Sequence, residues 1–94
     1  MTKNAIIETL SKAIADKYES RAVADFHGEH EGETMLIDFT GCGEPFEADI
    51  ICTWSLQKDN DEEDWGQFTS YSELFDFLYE TFNGKEVVLY AESF

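Results

Sequence analysis

The densest chemistry in the sequence lies in Lys58-Asp59-Asn60-Asp61-Glu62-Glu63-Asp64-Trp65-Gly66, where five carboxylates fall within six residues. Clustered carboxylates are hard oxygen ligands, so calcium is the first chemistry to test. A helix–loop–helix calcium loop needs acids at alternate positions, Gly at its sixth place and Glu at its twelfth. Counted from Asp59, those places hold Asp64 and Ser70, and the pattern fails. A second set, His27, His30, Cys42 and Cys52, has the residue types for zinc. Structural zinc sites pair their thiols at short spacings, whereas nine residues separate these, Cys42 in a turn and Cys52 on an inward strand face. No Gly-rich phosphate loop or nucleophile elbow is present. The expectation is a non-enzymatic protein without metal or cofactor.

Charge narrows the partner. The chain has a formal net charge of -15, and its spread is uneven: residues 1–21 carry +1 and residues 22–94 carry -16. Phosphate backbones are bound through Lys and Arg, and anionic membrane surfaces likewise attract basic segments. Both are therefore poor ligands for this chain, and a basic protein is the partner to expect. The same charge also raises solubility at some expense of stability, with no partner required.

At 94 residues, 43% of them hydrophobic and 15% aromatic, the chain has the length and apolar content of one globular domain spanning 1–94. No apolar run approaches the length of a membrane span. With neither a signal-peptide pattern nor paired cysteine spacing, the expected setting is cytoplasmic with reduced thiols.

Periodicity sets the elements that must position these groups. From Asn4 to about Tyr18, Ile6, Ile7, Leu10, Ala13, Ile14 and Tyr18 form one helical face, capped by Thr2 or Asn4, with the helix ending near Glu19 or Ser20. Two alternating runs come next. Ala24 and Phe26 oppose Asp25 and His27, and Met35, Ile37 and Phe39 oppose Leu36 and Asp38, with glycine-bearing turns at 28–32 and 41–45. A third strand is expected from about Phe46 to Leu56, with Ile50, Cys52, Trp54 and Leu56 inward. The acidic stretch then reads as a loop. Ser70-Tyr71-Ser72-Glu73 opens a second helix as a capping box, with Tyr71, Leu74, Phe75, Leu78 and Phe82 inward and Phe77 and Tyr79 outward. Asn83-Gly84 ends it, and Glu86 to Phe94 is a last strand beside either the first or the third.

The order α-β-β-β-α-β predicts an α+β two-layer sandwich: a mainly antiparallel four-stranded sheet with two helices on one face. Its first five elements resemble in order the double-stranded-RNA-binding domain. The start of the second helix, where such domains carry basic residues, here leads into Glu73, Asp76 and Glu80. RNA binding is not carried over.

Two candidate surfaces emerge. One is a carboxylate surface of Asp59, Asp61, Glu62, Glu63 and Asp64 with Trp65, joined by Glu73, Asp76 and Glu80 on the helix. Facing a basic protein, it suits a DNA-mimic inhibitor of a nuclease or DNA-binding protein, or an immunity protein or antitoxin against a basic toxin. The other is the uncovered sheet face, where Leu36, Ile51, Val88 and Tyr90 form an apolar stripe suited to an adaptor or to homodimer formation.

Overall fold

The computed structural model describes residues 1–16, 19–40 and 49–93. Helix α1 runs Lys3–Ala15, and the Thr2 hydroxyl caps it by accepting from the Ala5 N–H at 3.2 Å. Such caps are worth about 1 kcal/mol. The helix stops several residues earlier than its apolar spacing predicts. Asp16 is its C-cap, and strand β1 follows at Ser20–Phe26. Ser20, predicted near the helix end, instead begins this strand and is buried. Its hydroxyl donates to the carbonyls of Ala13 and Asp16 at 3.3 and 3.1 Å, tying helix end to strand start.

Strands β2 (Glu33–Asp38) and β3 (Cys52–Lys58) come next. The turn at 41–45 with Cys42, the beginning of the predicted third strand at Phe46, Tyr18 and Phe94 lie outside the described residues. Asp49 to Ile51 precede β3 and are not strand.

The main correction concerns the acidic stretch. It is a loop only at Asp59 and Asn60. Their φ values of +52° and +71° make the two-residue turn that joins right-twisted strands most readily. From Asp61 the chain is extended again, and Asp61–Phe68 is strand β4. Among the described residues the sheet thus has five strands in the order β4-β3-β2-β1-β5, every neighbouring pair antiparallel. The added strand also removes the element-order resemblance to the double-stranded-RNA-binding domain.

Helix α2 (Tyr71–Phe82) begins with Ser70, whose hydroxyl accepts from the Glu73 N–H at 3.4 Å. It ends at Asn83, and Gly84 at φ +74° turns the chain away. Strand β5 (Val87–Ser93) then pairs with β1 on the side away from β2.

Both helices pack on one sheet face, as their apolar stripes predict. Ile6, Leu10 and Ala13 from α1 meet Leu74, Leu78 and Phe82 from α2 over Ala22, Ala24, Phe26, Met35, Ile37, Phe39 and Cys52. The second helix departs from prediction on its flanks. Phe77, expected outward, closes over β3 and β4, its ring 4.9 Å from Trp54 and 5.2 Å from Phe68. Tyr71, expected inward, is exposed. The extra strand explains Phe77: it widens the sheet, so an off-centre aromatic finds a surface to cover.

Candidate functional site

Strand β4 decides where the acidic residues go. Ser55 pairs with Trp65, and Leu56 with Asp64, in regular register. Next, Gln57 pairs with Glu62, so Glu63 is an extra residue in a β-bulge. In a regular strand residues 62 and 65 would point to opposite faces. A bulge shifts the alternation by one and re-aims the side chains beyond it. Since Ser55 and Gln57 share a face, so do Trp65 and Glu62, and that face is the one the helices leave open. Asp61 and Asp64, paired with Lys58 and Leu56, stand on the helix side of the same edge. Asp64 accepts the Trp65 N–H at 2.9 Å. Asp59 stays in the turn, its N–H donating to Gly32 O at 3.2 Å.

The helical acids belong to another layer. Glu73, Asp76 and Glu80 are exposed on α2. Asp76 is engaged by Lys3 from α1 in an ion pair. That hydrogen bond and the Asp76 charge raise the Lys3 ammonium above its ordinary pKa. The nine residues expected to form one carboxylate surface therefore fall into a strand group and a helix group, the latter partly compensated.

The open face is ordered by register. Leu36, Val88 and Tyr90 lie on it. Ile51 does not share their surface, since it precedes β3 and packs against the core cluster. Across the sheet from β4 to β5, one row reads Trp65, Ser55, Leu36, Val23, Tyr90. The ends of this largely apolar row stand open, with Trp65 64% and Tyr90 39% exposed, while Val23, next to Tyr90, is 3% exposed. Val88, 53% exposed, adjoins Tyr90. Polar rows border it: Asp25 and Glu62 toward one end of the strands, Asp38, Arg21 and Glu92 toward the other.

The border is itself bonded. Tyr90 donates its hydroxyl to Asp25 at 3.2 Å, and Thr34 donates to the other Asp25 oxygen at 3.4 Å. Partial desolvation of the phenol, then the Asp25 charge, push Tyr90 above its ordinary pKa. Arg21 Nε donates to Glu92 at 3.2 Å.

The remaining candidates separate in space. Cys52 is fully buried, and it pairs with Phe68 at one end of the sheet. His27 and His30 come directly after β1 at the other end, where His30 Nδ1 lies 3.0 Å from Glu33. A Cys52–His catalytic pair is therefore out of reach. Among the described residues no three His, Cys, Asp or Glu side chains converge as a metal site, and no helix is long and apolar enough to cross a membrane.

Sequence reasoning found Leu36, Val88 and Tyr90 by alternation alone. It missed Val23 and Ser55 as members of the row, although alternation along β1 and β3 carried that signal. It also could not align Glu62 with Trp65, because the bulge reverses parity.

This defines the chain as an antiparallel α+β two-layer protein with one sheet face that neither helix covers. Comparison with family models, curated proteins and solved structures yields no match.

Proposed function

We propose that this is a non-enzymatic binding protein that presents its open sheet face to a basic protein partner. One observation carries the reading: Trp65, Leu36, Val88 and Tyr90 share a face that neither helix covers, bordered by Asp25, Asp38, Glu62 and Glu92. Apolar centres with polar rims are the anatomy of protein interfaces. The acids of β4 alone would not suffice, since charge on an edge strand also serves to block unwanted strand pairing. The aromatic exposed beside them has no such explanation. Acidic rims speed encounter with basic partners and fix their orientation, while the apolar centre supplies affinity.

The test is affinity capture from cell extract at low and high salt with two variants. Leu36→Asp should abolish capture. Neutralising Asp61, Glu62, Glu63 and Asp64 to Asn or Gln should slow association and flatten its salt dependence. Capture unaffected by either variant would overturn the reading. Competition by duplex DNA would mark the partner as a nuclease or DNA-binding protein; a basic toxin with no DNA site would show the charge effects without competition.

A further inference from the structure

A groove of about 300 Å³ crosses the open face from β4 to β1. Trp65 and Glu62 line it at β4, Ser55 and Leu36 in the middle, and Asp38 and Arg21 beyond. A large exposed aromatic and a carboxylate stand side by side, and they do so only because the Glu63 bulge turns both to one face. Bulges commonly re-aim side chains next to functional sites.

We propose that this groove is an arginine site, occupied by a guanidinium of the basic partner. The proposal rests on the docking role assigned to the open face and names the partner group that anchors there. The chemistry selects arginine over other groups. A guanidinium is planar, stacks on an indole and forks onto a carboxylate, whereas a lysine ammonium is a compact, strongly hydrated charge. A cation against a tryptophan face is attracted by the ring's quadrupole, and a charged hydrogen bond to Glu62 adds direction. Leu36 offers apolar surface for the arginine methylenes, which pack along such surfaces while the head group finds its charge. Arg21, at the far end, has its Nε directed to Glu92. One of the groove's two carboxylates, Glu62, thus lies at the end that holds the aromatic.

The test uses the full-length protein at low salt and ¹⁵N-edited NMR, with three blocked peptides as probes: acetyl-Gly-Arg-Gly-amide, the same peptide with citrulline in place of arginine, and the same with glutamate. The arginine peptide should shift the Trp65 indole N–H and the Ser55 amide in a saturable way. Citrulline keeps the shape and loses the charge, and should bind at least severalfold more weakly. Trp65→Ala and Glu62→Gln, both at exposed positions, should each weaken arginine binding by roughly two- to fivefold. Equal binding of citrulline, stronger binding of glutamate, or shifts that map away from Trp65 would overturn the proposal.

The two readings fail separately. If Leu36→Asp abolishes partner capture while Trp65→Ala and Glu62→Gln leave the peptide and the partner unaffected, the face docks but the groove holds no arginine. If the peptide binds as expected and Leu36→Asp leaves capture intact, the groove is an arginine site and the docking role falls.

Discussion

Replacing Gly66 by alanine should destabilise the fold, against the usual sign for such a change. Gly66 lies opposite Trp54 in the β3–β4 pair. A Cβ built there would stand 2.7 Å from the indole Nε1, 2.9 Å from Cε2 and 3.0 Å from Cζ2. Heavy atoms in contact prefer about 3.5–4.0 Å, so the ring must retreat by roughly 1 Å. It has little room, because Phe77 lies behind it at 4.9 Å and Phe77 in turn meets Phe68 at 5.2 Å. Overpacking of this kind costs about 1–3 kcal/mol. Gly66 has no positive φ, so alanine also gains roughly 0.4–1 kcal/mol by restricting the unfolded chain. The clash wins, and the net loss is about 1–2 kcal/mol. For a domain of this size each kcal/mol moves the melting temperature by roughly 4–8 °C, so a fall of about 5–15 °C is expected. Thermal and urea denaturation tracked by circular dichroism read it, with the urea slope unchanged. Adding Trp54→Phe removes the atoms that clash, and the pair should be less destabilised than the two single effects summed. An unchanged or raised midpoint for Gly66→Ala, or strict additivity in the pair, would refute the packing described for Trp54.

Two further outcomes are set by local geometry. Asn60 holds φ +71° in the β3–β4 turn; Asn60→Val should cost about 1–2 kcal/mol, while Asn60→Gly should hold or raise the denaturation midpoint, and equal stability of the two variants would contradict the turn. Tyr90 titrates above its ordinary value because of desolvation and then Asp25. Asp25→Asn should bring the phenol back toward about 10 in a spectrophotometric titration. The sign for stability is also set: a raised folded pKa favours the neutral phenol, so its contribution is complete below the unfolded value near pH ~10 and is lost as pH rises through the folded one.

Most of the framework was legible because each element repeats one pattern. Ile6, Leu10 and Ala13 on α1, Met35, Ile37 and Phe39 on and just after β2, and Leu74, Leu78 and Phe82 on α2 are buried where their spacing places them. The capping hydroxyls of Thr2 and Ser70 act as their positions suggest. Strand β4 was illegible for a physical reason. Asp and Glu are depleted in strands, yet an edge strand has one side free and tolerates them, even uses them. Asp61 to Asp64 therefore look like a loop and pair as a strand. The helical crossover before β5 carries no record of where the strand docks, so its place beside β1 had to come from three-dimensional packing. At the site, alternation recovered Leu36, Val88 and Tyr90, but one inserted residue, Glu63, was enough to hide that Glu62 and Trp65 face the same way.

The pairing of β5 with β1, Ser93 opposite Ser20, also governs how the chain must be born. Helix α1 leaves the ribosome before the strands, with Ile6, Leu10 and Ala13 uncovered, and two of the elements that pack on it, α2 and β5, follow only after β1 to β4. At elongation rates of about 5–20 residues per second, that face waits roughly 4–15 s for its cover. Strand β1 spends the same interval with one edge unpaired. The acids at 59–64 leave the ribosome midway through this wait. They lend the nascent chain a repulsive charge just when it has most apolar surface to hide.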